Sequence, residues 1–245
     1  MSELFAVGKT DIGKSREENQ DKYRISVPDS DTVFAVVCDG MGGALSGGLA
    51  SEITSNCIYE RIQLSYRKDM EPKNVKSMLI SSVMAANTIV YNKSLEDEKC
   101  AGMGTTCVAA ILHSDLCCIA SVGDSRAYYL DGGGIYQITR DHTMVQYLHS
   151  QGVISEDEMK VHKMKNIITR AVGVDAEVEP DYFEINVEKG SYVLICTDGL
   201  TNYLSDDTIY AIVYKHPLEQ AVTELVEKAN SCGGKDNITA VLIAV

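Results

Sequence analysis

The chain has 245 residues, enough to bury one substantial core, and its 35 acidic against 22 basic residues give a formal charge of −13. This acidic balance argues against nucleic acid as a partner, because phosphate backbones are bound through basic patches. Since the sequence shows neither a cationic leader nor an apolar run of the roughly 20 residues that cross a bilayer, we expect one soluble, cytoplasmic domain over residues 1–245, without membrane attachment.

The first half of the chain predicts strands followed by two packing helices. The predicted strands cover residues 5–8, residues 23–27 and the apolar run that begins at Val33 and ends on Asp39, before the glycines up to Gly43. Two sets of apolar residues then recur at helical spacing: Ala50, Ile53, Cys57 and Leu64 in one helix, and Val75, Leu79, Val83, Ala86 and Val90 in a second that begins near Pro72. Neither helix carries residues that suggest chemistry.

The second half changes period. Short strands linked by tight turns predict an antiparallel meander over residues 105–112, 116–122, 126–130 and 135–138. The irregular, locally basic segment 140–173 is interpreted as a flap over a substrate, with solvated charge as the alternative. A buried run over 192–199, a helix striped by Leu218, Val222, Leu225, Val226 and Ala229, and a last strand over 238–245 complete an α+β layered domain.

The eight cysteines lie mainly within apolar runs and lack Cys-x-x-Cys spacing. Examples are Cys38, Cys107, Cys117, Cys118 and Cys196. We therefore interpret them as small core residues rather than disulfide partners or zinc ligands.

Two buried runs end in the same way, with an aspartate followed by glycine: Asp39-Gly40 and Asp198-Gly199. Asp-Gly is also a strong hairpin signal, and Asp131-Gly132 is interpreted as a simple hairpin between two strands. After Asp39, by contrast, comes a loop and a helical pattern. Two strand ends that each present a carboxylate favour a metal site.

Other polar residues have a plain alternative. Arg16 and Asp21 lie in a polar segment that fits a solvated loop, and Gly123-Asp124 fits a β-turn. If Arg16 reaches the metal centre, its planar guanidinium suits a phosphate dianion, and Asp21 is a further acid for an ion or its waters.

Seven motifs in order resemble the metal-dependent serine/threonine protein phosphatases of type 2C, the PPM family, and most closely its compact bacterial members. The resemblance runs from about Phe5 to the end of the chain. The motifs are Arg16-Glu-Glu-Asn-Gln-Asp21, Asp39-Gly-Met-Gly-Gly43, Gly104-Thr-Thr106, Gly123-Asp-Ser-Arg126, Thr139-Arg-Asp-His142, Thr197-Asp-Gly199 and Gly234-Lys-Asp-Asn237. Each is weak alone, but the ordered set is specific.

The resemblance implies a four-layer αββα sandwich, in which two antiparallel sheets are flanked by helix pairs, and a centre of two Mn²⁺ or Mg²⁺ ions at one end. The implied roles are a bridging ligand for Asp39, a carbonyl ligand for Gly40, ligands of the other ion for Asp198 and Asp236, a direct or water-mediated ligand for Asp21, a ligand of a third, weaker ion for Asp124, and phosphate binding for Arg16.

The implied reaction is hydrolysis of phosphoserine and phosphothreonine in proteins by a water that bridges the two ions, with no phosphoenzyme. Hard divalent ions prefer oxygen ligands, and two of them remove the repulsion among clustered carboxylates. The implied partners are phosphoprotein substrates of a serine/threonine kinase, and the chain is expected to act as a monomer.

Several residues depart from the family pattern. Met41 stands where many relatives have a histidine, so a metal-bound water is expected to protonate the leaving group, with His162 as a second candidate. Gln20 replaces a frequent acid, and Ala44 and Gly48 replace a frequent histidine and glutamate.

Two rival hypotheses remain open at this point. A non-catalytic relative that binds phosphoproteins would usually have lost a ligand acid, whereas Asp39, Asp198 and Asp236 are all present. The other rival is a phosphatase that acts on small phosphate esters or on another class of phosphoprotein, and the basic stretch from Arg140 to Arg170 favours a macromolecular phosphopeptide.

Overall fold

Eleven strands form two antiparallel sheets in the computed structural model, which describes residues 3–42 and 46–245. The strands are β1 (Phe5–Asp11), β2 (Asp21–Asp29), β3 (Thr32–Met41), β4 (Gly104–Thr105), β5 (Cys107–His113), β6 (Leu116–Val122), β7 (Arg126–Asp131), β8 (Gly134–Gln137), β9 (Asp181–Asn186), β10 (Tyr192–Cys196) and β11 (Ile238–Ala244). One sheet has the order β1-β11-β10-β7-β8. The other has the order β2-β3-β5-β6-β9, and β4 pairs with the end of β3.

Helices cover the outer face of each sheet. The helices are α1 (Ser46–Ser65), α2 (Pro72–Glu96), α3 (Met144–Ser150), α4 (Glu156–Val161), α5 (Asp198–Thr201), α6 (Asp206–Lys215) and α7 (Leu218–Ser231), with a short 3-10 turn at Glu98–Cys100. Side chains of α1 and α2 share a buried cluster with the β3 sheet, and side chains of α5, α6 and α7 share another with the β11 sheet. The predicted four-layer αββα sandwich is confirmed.

Strand β3 shows why the central run of the sequence is apolar without interruption. Its alternate residues Val33, Ala35 and Val37 pack between the two sheets. Phe34, Val36 and Cys38 point the other way, into the cluster formed with α1 and α2. A strand buried on both faces cannot shift register without exposing one set, so β3 holds the residues at its end in a fixed place.

Parts of the pattern differ from the sequence prediction. The apolar stripe of α1 runs through Ala50, Ile58 and Ile62, whereas Leu64 is 75% exposed. Strand β9 lies at the edge of its sheet and is only half-buried, so its sequence carries a weak apolar signal. Helix α6 was also missed, although Ser205 caps its N-terminus and two acids occupy its first turn.

Six of the cysteines are buried core residues, whereas Cys57 is half-buried and Cys232 is exposed. All eight are free thiols, and the five singled out from the sequence are buried. Within residues 3–42 and 46–245, no helix combines the length and apolarity needed to cross a membrane.

Candidate metal centre

Asp21 and Asp39 face each other across neighbouring strands. Asp21 begins β2, and its cross-strand partner is Asp39 near the end of β3. Directly opposed residues in an antiparallel pair have Cβ atoms about 4.5–5.5 Å apart. Two like charges at that separation destabilise a sheet unless a cation or a proton lies between them.

Asp21 is buried, and one of its carboxylate oxygens has no partner. Its Oδ2 accepts hydrogen bonds from the hydroxyls of Thr197 (2.9 Å) and Thr239 (2.7 Å). Its Oδ1 is enclosed without a hydrogen bond. Burial, reinforced by the charges of Asp198 and Asp236 and opposed by the two hydroxyls, raises the pKa of Asp21 to about 7. A buried oxygen of this kind fits a cation ligand.

Asp198 repeats this arrangement from the other sheet. The sequence predicts Asp198 at the end of a strand. Strand β10 instead ends at Cys196, and Asp198 is the first residue of the short helix α5. Its Oδ2 accepts a hydrogen bond from Asn202 Nδ2 (2.9 Å), while its Oδ1 is buried without a partner. Burial and then the charge of Asp236 raise the pKa of Asp198.

The glycines that follow Asp39 and Asp198 allow another segment of backbone to pass close by. A Cβ atom at Gly40 would lie 2.2 Å from the carbonyl oxygen of Gly47, and one at Gly199 would lie 1.9 Å from that of Asn237. No larger residue fits at either position without moving backbone. Gly40 pairs with Thr105 across the sheet, and its role as a carbonyl ligand stays a prediction.

Arg16 and Asp236 meet at the rim of the cluster. Arg16 Nη2 donates to Asp236 Oδ2 (2.8 Å). The hydrogen bond with Asp236, together with the charges of Asp236, Asp39 and Asp198, outweighs desolvation and raises the pKa of Arg16. The guanidinium is half exposed, so its other N–H groups are free to meet an incoming phosphate.

Asn237 fixes the loop that carries Arg16, a role that sequence reasoning missed. Its Oδ1 accepts the N–H of Gln20 (2.8 Å), and its Nδ2 donates to the carbonyls of Ile12 (2.9 Å) and Glu18 (3.0 Å). The residue was visible in the Gly234-Lys-Asp-Asn237 motif, but nothing in its spacing indicated which segment its amide would bind.

Asp124 lies in the turn between β6 and β7 and is buried. Burial, followed by the charges of Asp198 and Asp141, raises its pKa to about 7. Thr106 connects this turn to the Asp39 strand, because its hydroxyl accepts the N–H of Asp39 (2.9 Å) and hydrogen-bonds to Ser125 Oγ (2.7 Å). The turn is thus part of the acidic cluster rather than an isolated loop.

The structure brings the five predicted acids together with Arg16. Burial raises the pKa of Asp39 well above its ordinary range, and the charges of the other four acids act in the same direction: Asp21, Asp198, Asp124 and Asp236. No three acidic, histidine or cysteine side chains in the described ranges form a ready-made ion cage. Hard ions such as Mg²⁺ keep several waters and use one or two carboxylates each, so the two buried unpartnered oxygens and this charge distribution still fit such ions.

A cavity of about 860 Å³ opens beside the acids. Asp124 and Asp198 lie in its wall, which continues over α3 and α4 on one side and the α5–α6 connection on the other. The histidine that lines it is His149, whereas Nδ1 of His162 accepts the N–H of Met164 (3.2 Å). His149 is therefore better placed than His162 to act as an acid in this cavity.

Some basic side chains of the 140–173 segment form ion pairs, so the segment presents less unpaired positive charge than the sequence suggested. Lys160 pairs with Glu156 and Asp157, and Arg170 pairs with Asp181. These pairs weaken the charge argument for a phosphopeptide substrate. Of the two departures after Met41, Gly48 lies in the first turn of α1, while Ala44 lies outside the described residues, as does Gly43 of the matching motif.

Comparison with known proteins gives a consistent result. A family model described as protein phosphatase 2C matches residues 8–243. The serine/threonine phosphatase stp of Listeria monocytogenes serotype 4b is 34% identical over 243 residues, which cover 98% of this chain and 95% of that protein.

Solved structures agree with these relatives. Stp1 from Staphylococcus aureus superposes with a TM-score of 0.91 at 34% identity, covering 100% of this chain and 97% of that chain. The catalytic domain of PstP in complex with two manganese ions superposes with a TM-score of 0.84 at 28% identity, covering 99% and 98%. The chain belongs to the protein phosphatase 2C family and is a serine/threonine protein phosphatase.

Proposed function

We propose that the chain hydrolyses phosphoserine and phosphothreonine in proteins with the help of two divalent ions, Mn²⁺ or Mg²⁺. The observation that carries this proposal is the pair of buried, unpartnered carboxylate oxygens, Asp21 Oδ1 and Asp198 Oδ1, within one cluster of acids. Buried polar atoms without partners are rare, and cations would supply the missing interactions.

Asp39, Gly40, Asp198 and Asp236 would hold the two ions, with Asp39 between them. Asp21 would act directly or through a water, and Asp124 would hold a third, weaker ion. When bound, paired divalent ions lower the pKa of a shared water so that it can attack phosphorus near neutral pH. The protein contributes fixed carboxylates, because β3 and the hydroxyls of Thr197 and Thr239 hold Asp39 and Asp21 in place.

Arg16 would orient the phosphate. Its guanidinium lies at the edge of the acidic cluster, where a planar fork can donate to two phosphoryl oxygens and stabilise the charge that develops on them. Met41 has no proton to give, so a water rather than this side chain would protonate the leaving alkoxide.

The substrates we propose are phosphoproteins made by a serine/threonine kinase, and the chain acts in the cytoplasm as a monomer. The cavity supports a peptide substrate by its size, since about 860 Å³ exceeds what a phosphate group alone requires.

A manganese titration with a phosphothreonine peptide tests the function. We expect turnover that requires the metal and disappears in Asp236→Asn, a variant whose circular dichroism spectrum should match that of the parent. Absence of turnover at every metal concentration, together with tight binding of the phosphopeptide, would instead support the phosphoprotein-binding alternative.

A further inference from the structure

Gly123, the residue before Asp124, forms hydrogen bonds to His142 through both its backbone N–H and its backbone carbonyl. The N–H of Gly123 donates to His142 Nδ1 (3.0 Å), and the N–H of His142 donates to the carbonyl of Gly123 (2.9 Å). Gly123 has a φ of 99°, and a Cβ atom there would lie 2.6 Å from Thr106 Cγ2. The Gly123 peptide therefore has little freedom to reorient while His142 is in place.

The opposite edge of the imidazole faces two charged residues. His142 Nε2 lies 3.3 Å from Asp181 Oδ2 and 3.1 Å from Arg170 Nη1. Arg170 itself donates to Asp181 Oδ1 (2.7 Å) and to the carbonyl of Glu179 (2.8 Å). Because Nδ1 accepts a hydrogen bond, the neutral ring carries its proton on Nε2 and can donate it to Asp181.

His142 connects the end of the 140–173 segment to the metal centre without reaching the substrate. Its carbonyl accepts the N–H of Thr169 (2.8 Å). The neighbours Asp141 and Thr143 line the cavity, while the side chain of His142 is buried behind them. Burial and the charge of Arg170 lower the pKa of His142, which agrees with a neutral ring.

We propose that His142 is a positioning residue that sets the Gly123-Asp124 peptide, and with it the affinity of the weakest ion site. Through the same ring, the orientation of Asp124 becomes dependent on Arg170 and Asp181. This inference rests on the proposed function, since it assumes that Asp124 holds an ion. Partners of this outer kind typically change metal affinity or activity by about 10- to 100-fold when they are removed.

Two substitutions separate the two edges of the ring. In His142→Asn, the side-chain oxygen takes the place of Nδ1 and can still accept from Gly123, but contact with Asp181 is lost. In His142→Gln, the amide reaches toward the place of Nε2, and the acceptor for Gly123 is lost. His113→Gln is a matched control, because His113 hydrogen-bonds to Thr32 at the far end of β5 from Asp39.

Calorimetric titration with Mn²⁺ gives the first readout, independent of turnover. We expect His142→Gln to weaken the lowest-affinity site by about 10-fold or more. His142→Asn should weaken it less, because only the contact with Asp181 is lost, and His113→Gln should stay close to the parent. Excess Mn²⁺ should restore most of the turnover of His142→Gln, which a general loss of structure would not allow. Equal weakest-site affinity in the parent and His142→Gln would overturn the proposal.

Nuclear magnetic resonance of the metal-free parent gives a second readout that does not depend on the variants folding. We expect ring nitrogen shifts with Nδ1 unprotonated, and slow hydrogen exchange of the Gly123 amide. A proton on Nδ1 or rapid exchange of that amide would refute the proposal. Failure of the proposed function looks different: the parent then binds no Mn²⁺ and has no turnover, while both spectroscopic results stand.

Discussion

The dipeptide Asp-Gly lies in two different environments in this protein, at Asp39-Gly40 and at Asp131-Gly132. Asp39-Gly40 lies beside four other acids, and the glycine is pressed against the backbone of Gly47. Asp131-Gly132 closes the β7–β8 hairpin, where Asp131 Oδ1 accepts the N–H of Gly133 (2.7 Å) and nothing lies within 4 Å of a Cβ placed at Gly132. The comparison teaches that what packs against the glycine, rather than the dipeptide itself, distinguishes a site from a turn.

The largest expected contrast is catalytic. Asp39→Asn should lower kcat by about 100- to 1000-fold, because a proposed ligand of both ions is lost, and with it much of the positive charge that would stabilise the phosphoryl oxygens. Asp131→Asn should leave kcat within about 2-fold, since asparagine is also well tolerated in such turns. Steady-state assays at saturating Mn²⁺ measure both, with far-ultraviolet circular dichroism as the control for folding. Equal kcat values for the two variants would contradict the comparison.

Arg16 sharpens the comparison on the substrate side, because an arginine adjoins the Asp39 cluster. Arg16→Ala should raise KM for a phosphothreonine peptide by about 10-fold or more and change kcat less, as expected from the loss of a charge-assisted hydrogen bond of about 1.5–3 kcal/mol. Lys9→Ala is the control, since Lys9 makes only a long surface pair with Glu227 (3.8 Å). An unchanged KM in Arg16→Ala would mean that this side chain does not bind the phosphate.

Alanine at the two glycines tests packing. Gly40→Ala should destabilise the protein by about 1–3 kcal/mol, because the new methyl group forces backbone atoms apart. Gly132→Ala should change stability by no more than about 0.5 kcal/mol. Urea denaturation of the metal-free proteins measures both values. Similar midpoints for the two variants would show that the close approach at Gly40 yields without cost.

The acids give the smallest effect, a dependence of stability on pH in metal-free protein. Burial raises the pKa of Asp21 and of Asp124 to about 7, whereas an unfolded aspartate titrates near about 4. Between these values the unfolded chain releases protons that the folded chain retains, so the free energy of unfolding falls as pH rises. Thermal denaturation in a chelator should therefore show a Tm a few degrees lower at pH 7.5 than at pH 5.

Added Mn²⁺ provides the control for that measurement. The ion should raise Tm more at pH 7.5 than at pH 5, because binding requires the carboxylates to be deprotonated. A metal-free Tm that rises over this interval would mean that the carboxylates are not held in the protonated form.

Sequence reasoning was most reliable where one strong pattern decided the outcome. The doubly buried run of β3 predicted both the strand and the placement of Asp39 at its end. It also predicted the layered fold, because blocks of helices and hairpins alternate along the chain. Sequence reasoning did not predict contacts between residues that are distant in the chain. Nothing in the sequence around Thr197 or Thr239 indicates that their hydroxyls donate to Asp21 in the folded protein.

The other features that the sequence did not predict have different causes. Edge strand β9 has one weakly covered face, so apolar periodicity fades. His142 was visible in a motif, but a sequence does not show which peptide its ring will accept from. The hydrogen bonds of Asn237 likewise join segments more than 200 residues apart in the chain, and no local pattern predicts such contacts.

The enclosure of Asp21 has a consequence for folding during synthesis. Its two hydroxyl partners come from residues 176 and 218 positions later in the chain. Synthesis proceeds from the N-terminus, so a nascent chain in which β11 is still inside the ribosome has the acids of β2 and β3 but cannot yet enclose them. We therefore expect catalytic activity to appear only after β11 has emerged from the ribosome, because Asp21 cannot be enclosed before then.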